Sequence, residues 1–238
     1  MSFNSTYLSL FQYSKGISFD EPSHTYYYKN RTMTSVTTAV GNCFPRFDRG
    51  GSISIGLAEK RGITVKELKD EWKQKAALGT KVHNYCEQLV NNINFISDDP
   101  WCSIRVEYAQ DFIQESGIKP LFCEFPVYNG KFSIAGTCDL LTYNAETDAI
   151  DIYDWKTNDS IVGETVKFGK YGFGRLCGIP DTNFWHYALQ LSIYKYILQE
   201  AGFKVGKLNL VHLTDAGYKV IELPYLSDEA LYILESNL

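Results

Sequence analysis

The sequence predicts an α+β fold: a central mixed sheet with three antiparallel strands, flanked by helices and preceded by an N-terminal helical region. Helical patterns with capping signals fill residues 64–117, and alternating apolar patterns typical of strands follow between residues 121 and 155. A long helical pattern then separates these strands from one or two more near residues 207–222. Helices and strands that occur in separate runs indicate the α+β class.

The chain length predicts a single domain. Its 238 residues, 45% of them hydrophobic and 21% charged, have the composition of an ordinary folded domain. Within residues 1–238 we distinguish an N-terminal hairpin and helical part, residues 1–118, from a core at residues 119–238.

The N-terminal part begins with a strand pattern. Residues 24–28 alternate like a strand, and residues 29–31 read as the turn that follows it. Thr34 or Ser35 is placed to cap a short helix. Residues 41–56 carry glycines, a proline and basic residues, and they predict a loop.

Three helices are then expected. Thr64 and Glu67 match a capping box at the start of a helix that we expect to end near Ala77. The Gly79-Thr80 pair is expected to interrupt the pattern, with a second helix continuing to about residue 92. A third helix is predicted over residues 104–116, because Gly117 is a typical C-terminal stop.

The core region carries the strands. We predict strands at residues 121–127, 131–141 and 149–155, a helix at residues 183–201, strands at residues 207–213 and 219–222, and a final helix capped by Ser227. Asn129-Gly130 supplies the first turn between these strands, and Gly202 stops the long helix.

Composition narrows the class of protein. The net charge of −5 weighs against a protein that coats nucleic acid, but not against an enzyme with a small phosphate channel. No apolar run approaches 18 residues, and the N-terminus lacks a basic start followed by an apolar block, so neither a membrane partner nor an export signal is predicted. The six cysteines form no CxxC pair, zinc pattern or iron–sulfur clip, which predicts reduced thiols in the cytoplasm.

One hairpin gathers charged residues. Asp139 and Asp154 are equally distant from the centre of the turn between their strands, so an unslipped register makes them cross-strand neighbours about 5 Å apart at Cβ. Lys156 shares a face with Asp154 because side chains alternate along a strand. Two adjacent carboxylates repel, and a divalent cation relieves that repulsion. The alternative is a surface hairpin with an ordinary Asp/Lys ion pair.

Asp139, Asp154 and Lys156 are part of two short motifs that resemble a known signature. Gly136-Thr-Cys-Asp139 and Asp154-Trp-Lys156-Thr157 resemble the GxxD…DxK(T) signature of the PD-(D/E)XK nucleases. The resemblance implies a restriction-endonuclease-like core. It also implies one or two Mg²⁺ or Mn²⁺ ions on Asp139 and Asp154, and a lysine that orients and activates the attacking water. The cysteine spacing departs from the iron–sulfur subfamilies of this family, so no iron–sulfur cluster is expected.

Further motifs are similar to those of the RecB-like branch of the same family. Gln190 and Tyr194 match its QxxxY motif, which implies a role in positioning nucleic acid, although a Tyr at this spacing also suits core packing. Gly79-Thr80 with His83 and Glu87 resembles its upstream GTxxHxxxE helix, which implies a metal ligand at His83. Glu124 stands where the family often has an acidic residue. Glu124 or the Trp155 carbonyl is expected to complete the metal shell.

The expected substrate is DNA. The N-terminal stretch from His24 to Thr38 resembles the opening of phage and mitochondrial genome maintenance single-strand exonucleases. The loop over residues 166–175 interleaves basic and aromatic residues, which suits unpaired DNA, although its rings would also suit inward packing. The candidates for substrate contact are Thr157, Glu87, Gln190, Tyr194, Lys167, Lys170, Tyr171 and Arg175.

The resemblance therefore implies a metal-dependent DNA exonuclease that acts at single-stranded ends and leaves 5′-phosphates. It implies the cytoplasm of a bacterial or phage-infected cell, with replication or recombination proteins as candidate partners. A duplex-DNA exonuclease of the alkaline type and a structure-specific endonuclease are the alternative enzymes. A nucleic-acid-binding module on the same fold, or an unrelated α+β protein, would lack a working metal site.

Overall fold

The computed structural model describes residues 2–20, 23, 25–48, 50–93, 97, 99–161 and 169–237. Its helices are α1 (Phe3–Ser14), α2 (Val36–Asn42), α3 (Ser52–Arg61), α4 (Val65–Val90), α5 (Pro100–Ser116), α6 (Asn183–Glu200) and α7 (Ser227–Ser236). Its strands are β1 (Ser18–Asp20), β2 (Thr25–Tyr28), β3 (Arg31–Ser35), β4 (Pro120–Asn129), β5 (Ile134–Asn144), β6 (Ala149–Lys156), β7 (Val205–Leu213) and β8 (Tyr218–Glu222).

The α+β class is confirmed, but the prediction of a sheet built on three strands is wrong. The described residues form one eight-stranded mixed sheet in the order β1-β2-β3-β5-β6-β7-β8, with β4 also paired to β5. The antiparallel β4–β5–β6 set lies at its centre as predicted. Parallel pairing of β3 with β5 and of β6 with β7 extends it on both sides. Parallel partners lie far apart along the chain, so no turn motif between them predicts their pairing.

Helices cover both faces of this sheet. Along β7, Leu208 and Leu210 join one buried cluster, whereas Val211 and Leu213 join the other. Because side chains alternate across a strand, the two clusters lie on opposite faces. The first cluster takes side chains from α1, α2, α6 and α7, and the second takes them from α4 and α5. Helices α4 and α6 therefore lie on opposite faces of the sheet.

The predicted break at Gly79-Thr80 does not occur, since α4 runs uninterrupted from Thr64, its N-cap, to Val90. A glycine inside a helix costs roughly 0.5–1 kcal/mol relative to alanine, and tertiary packing outweighs that cost here. A Cβ at Gly79 would lie 3.1 Å from Thr157 Oγ1, at the end of β6. Gly79 therefore allows α4 to approach the sheet closely where the site lies.

Two other expectations need correction. Residues 41–56 were predicted as a loop, but α3 begins at Ser52. Its start lacks the usual side-chain cap because Gly51 is the N-cap residue, and Asp48 accepts the Ile53 and Ser54 amides from outside the helix. Ser227 is the first residue of α7, and its N-cap is Leu226.

Helices α1 and α3 were not anticipated, whereas the cap of α2 at Ser35 and the αL stop of α5 at Gly117 are confirmed. Within the described part of the chain, no helix combines the length and apolar character needed to cross a membrane.

Candidate metal and nuclease site

The β5–β6 hairpin places its two aspartates side by side. Its register runs from Asn144↔Ala149 to Leu140↔Tyr153, which is the unslipped pairing that the sequence predicted. Asp139 and Asp154 occupy the next position. The Trp155 backbone amide donates a hydrogen bond to Asp139 Oδ2 at 2.8 Å, so the Asp139 carboxylate reaches across the pair.

Helix α4 adds a histidine side chain to these two carboxylates. His83 Nδ1 lies 3.2 Å from Asp139 Oδ2. Glu124 on β4 completes a group in which the ligand atoms of His83, Glu124 and Asp139 all lie within 4.8 Å of one another. One imidazole nitrogen and two carboxylates from three separate elements therefore converge on one point. Carboxylate oxygens suit Mg²⁺ and Mn²⁺, and imidazole suits later divalent metals, so this donor set fits a divalent cation.

Asp154 lies deeper than this group. Its side chain is 2% exposed and forms an ion pair with Lys156 Nζ. The Asp154 atom that contacts Lys156 is Oδ2, so this buried oxygen already faces an ammonium. Burial, together with the negative charge of Asp139, raises the pKa of Asp154 to about 6, although Lys156 opposes this shift. A second buried carboxyl group beside Asp139 concentrates negative charge that a cation would offset.

Lys156 is fixed by its surroundings. Burial would lower its pKa, but the charges of Asp154 and Asp139 outweigh burial and raise the pKa above its usual value, so the amine stays protonated. Its Nζ lies 4.4 Å from the centroid of the Tyr187 ring, a cation–π contact. Tyr187 Oη in turn donates to Asn158 Oδ1 at 2.7 Å.

Tyr187 was missed by sequence reasoning. It stands on α6 three residues before Gln190, and so one turn from the QxxxY motif that the sequence did identify. That spacing was the only available signal, because the contact between Tyr187 and Lys156 joins opposite ends of a long connection. Tyr187 helps to hold the Lys156 ammonium at the site.

Glu124 has a strained backbone. Its φ of 45° is unusual for a residue inside a strand, where left-handed conformations cost free energy. The neighbouring pairs Cys123↔Leu140 and Phe125↔Cys138 place Glu124 opposite Asp139. Burial within the cleft, followed by the charge of Asp139, raises the pKa of Glu124 to about 8 even though part of its side chain meets solvent. The strain and the shared charge mark Glu124 as part of the site.

His83 and Asp139 stabilise each other's charged forms. Burial alone would lower the pKa of His83, but the charge and hydrogen bond of Asp139 leave that pKa raised. Burial alone would raise the pKa of Asp139, but His83 and Lys156 leave it lowered. Asp139 is therefore the most firmly ionised of the three carboxyl groups.

A cleft of about 940 Å³ opens beside these side chains. Six of the predicted site residues line it, namely His83, Glu87, Glu124, Trp155, Lys156 and Thr157. Asp139 and Asp154 are buried and are not among the lining residues. The N-terminal strands contribute Phe19 and Tyr26, and Tyr26 Oη shares a 2.6 Å hydrogen bond with Thr137 Oγ1. The cleft is therefore walled by α4, the central hairpin and the N-terminal hairpin.

The QxxxY residues lie behind the cleft. Tyr194 is buried, and Gln190 Nε2 donates to its hydroxyl at 3.2 Å. A Cβ on Gly136 would lie only 2.7 Å from the Tyr194 hydroxyl oxygen, so the ring packs directly on the β5 backbone. Neither Gln190 nor Tyr194 is among the described residues that line the cleft.

Among the residues that the structure describes, none of the predicted substrate loop lines the cleft. Lys167 lies outside the described residues. Lys170 lines a second, separate groove, and Tyr171 is 43% exposed. The guanidinium of Arg175 lies 5.5 Å from the Tyr232 ring centroid on α7.

Comparison with known proteins does not assign a family. No family profile matches this sequence, and no curated protein matches it. Among solved structures, the crystal structure of SSO0001 is similar with a TM-score of 0.43 and 15% sequence identity, over 98% of this chain and 84% of that chain. A likeness at that level does not establish a shared fold or function.

Proposed function

We propose that this protein is a metal-dependent deoxyribonuclease of the PD-(D/E)XK type, RecB-like branch. The preferred activity is exonucleolytic hydrolysis at single-stranded DNA ends that leaves 5′-phosphates. One observation supports the proposal above the others: His83, Glu124 and Asp139 converge beside the buried Asp154–Lys156 pair. His83, Glu124 and Lys156 from this set line one open cleft. These are the residue types and the spacing that the sequence resemblance implies for this family.

Three side chains would hold the cation. His83, Asp139 and Glu124 would bind it, and the Asp154 carboxylate lies beside them in its pair with Lys156. A bound Mg²⁺ or Mn²⁺ would lower the pKa of a coordinated water and offset charge on the phosphate. The local composition supports this assignment, because the four carboxyl groups of Asp139, Asp154, Glu124 and Glu87 outnumber the Lys156 ammonium and the His83 imidazole beside them.

The chain itself supplies a fixed positive charge. The raised pKa of Lys156 keeps its ammonium protonated at neutral pH. Asp154 on one side and the Tyr187 ring on the other hold Nζ in one place, so the ammonium can donate hydrogen bonds to a water and to a phosphate oxygen. A positive group already placed where charge develops needs no reorganisation during the reaction.

The first test is a cleavage assay on end-labelled single-stranded, duplex and covalently closed circular DNA, with a single-stranded RNA for comparison. Each is incubated with Mg²⁺, with Mn²⁺ and with EDTA. We expect metal-dependent shortening of linear single strands and no cleavage by the Lys156→Ala variant. The matched control is Lys207→Ala, which removes an exposed lysine from the surface pair with Glu222 and should retain activity.

Each outcome bears on the assignment. Faster loss of duplex ends would favour the duplex exonuclease, and cleavage of circles would favour an endonuclease. Full activity in Lys156→Ala would overturn the assignment of the site. DNA binding without cleavage in either metal would overturn the enzymatic proposal and leave a nucleic-acid-binding module.

A further inference from the structure

A second groove lies beyond the cleft. It has a volume of about 1490 Å³ and lies between residues 44–48, α3 and the segment that carries Lys170 and Phe173. This volume exceeds the roughly 300–1,000 Å³ that sites for small molecules usually have. The occupant should therefore be a polymer segment rather than one small ligand.

Its walls are fixed to the fold. The Phe173 amide donates to the Cys43 carbonyl at 2.8 Å, which joins the two connecting segments. Phe44 is buried with its ring 4.1 Å from that of His186 on α6. The groove is thus a built feature that spans the N-terminal part and the core.

Exposed rings line this groove. Phe47 is 70% exposed and Phe173 is 54% exposed, which is unusual for side chains that normally lie in cores. Phe47 stands edge-on to the Trp72 ring at 5.8 Å, so its orientation is supported by α4. Exposed and supported aromatic faces are the surface that unpaired bases stack on.

The charge of the groove is positive, in contrast to the net charge of −5 for the whole chain. Arg46 and Lys170 line it, and neither side chain forms an ion pair within the described residues. Among the described residues of its wall, the one carboxylate is that of Asp48, which accepts hydrogen bonds from the Ile53 and Ser54 amides at the start of α3. The groove therefore complements a polyanion.

Helix α4 connects the groove to the metal site. Trp72 contacts Phe47 at the groove, and Lys75, Gly79 and His83 line the cleft from the same helix. Their spacing places them along one helical face. Trp72 and His83 are about 16 Å apart along the helix axis, from a rise of about 1.5 Å per residue. A bound single strand of a few nucleotides spans that distance.

We propose that this groove is a binding site for unpaired nucleotides of the substrate strand, with bases stacked on Phe47 and Phe173 and phosphates held by Arg46 and Lys170. The inference rests on the proposed function for its direction toward the metal site. The binding itself requires only the groove. The proposal gives a function to Arg46 and Phe47, which lie in a region where the sequence motifs indicated none.

The test measures binding without cleavage. The affinity of a fluorescent 15-nucleotide oligothymidylate is determined by anisotropy in EDTA for the wild type, Phe47→Ala and Phe47→Tyr. We expect Phe47→Ala to weaken binding about 5- to 100-fold, the effect of losing one base stack, and Phe47→Tyr to retain it. The matched control is Phe11→Ala, an exposed phenylalanine that also lies beside a lysine, Lys15, but away from the groove.

Charge variants give a second readout. Arg46→Gln and Lys170→Gln should each reduce the salt dependence of binding, with the slope of log K against log salt falling by about 0.7 per lost phosphate contact. Unchanged affinity in Phe47→Ala together with unchanged slopes would overturn the proposal. So would a Phe47→Ala protein that changes only its oligomeric state by light scattering, because the groove would then be a contact between copies.

The two proposals fail separately. If the protein binds the oligonucleotide through Phe47 but cleaves nothing in Mg²⁺ or Mn²⁺, the groove stands and the nuclease assignment falls. If it cleaves DNA and Phe47→Ala changes neither affinity nor cleavage, the groove proposal falls and the nuclease assignment stands.

Discussion

Gly136 and Tyr194 are in direct contact: a Cβ on Gly136 would lie 2.7 Å from both the hydroxyl oxygen and Cε1 of the Tyr194 ring. Gly136 opens the GxxD segment of β5, and Tyr194 ends the QxxxY segment of α6. The two motifs therefore form one packing arrangement, in which the tyrosine ring of a helix rests on a bare strand backbone next to Asp139. Position 136 must lack a side chain for the Tyr194 ring to fit against β5.

The Gly136→Ala variant should be destabilised by about 1–3 kcal/mol, because the added methyl group must displace a buried ring in a packed core. Urea unfolding measures this change. The control is Gly41→Ala, since no atom lies within 4 Å of a Cβ at that position and alanine favours the helix α2. Equal stability of Gly136→Ala and wild type would contradict the packing argument.

Divalent metal should stabilise the folded protein. Because the ligands converge only in the fold, Mn²⁺ or Mg²⁺ at about 100 times its Kd should add about 2.7 kcal/mol and raise the Tm. The Asp139→Asn variant should lose this metal-dependent Tm shift. Asp159→Asn, an exposed aspartate paired with Lys75, should keep it. A shift that persists in Asp139→Asn would place the metal elsewhere.

Metal binding should release protons. Burial and the charge of Asp139 raise the pKa of Glu124 to about 8, so this group is mostly protonated at pH 7 without metal and must lose its proton to bind one. Apparent affinity should therefore rise from pH 6.5 to pH 9 and level off above the pKa.

Calorimetry at pH 7 in two buffers of different ionisation enthalpy counts the released protons. Glu124→Gln should reduce that count and flatten the pH dependence. The same affinity at pH 6.5 and pH 9 would exclude Glu124 from the ligand set.

Tyr187 should act by positioning Lys156. Tyr187→Phe keeps the ring against the ammonium and should retain most activity. Tyr187→Ala removes a cation–π contact of about 0.5–2 kcal/mol and should lower kcat about 2- to 30-fold with little change in KM. Steady-state kinetics on a single-stranded substrate test this split. An equal loss in the Phe and Ala variants would assign the effect to the hydroxyl and Asn158 instead.

Local sequence patterns predicted many of the helices and strands. The capping box at Thr64, the αL stop at Gly117 and the three central strands were all predicted, because short-range hydrogen bonding and side-chain periodicity determine them. The break predicted at Gly79 was wrong because helix propensity is weak compared with packing against Thr157. The size of the sheet was underestimated because the outer strands join its centre through the parallel pairs β3–β5 and β6–β7, and parallel pairing leaves no local signal.

By itself the sequence determined the register of the β5–β6 hairpin, since turn length and a side-chain period of two place Asp139 beside Asp154 and leave Lys156 on the Asp154 face. Only the tertiary structure decided what meets this hairpin. The approach of His83 from α4, the left-handed Glu124, the Tyr187 ring against Lys156 and the aromatic groove at Phe47 each join segments distant in the chain. Such contacts depend on how helices pack across a shared sheet, and no local periodicity encodes that packing.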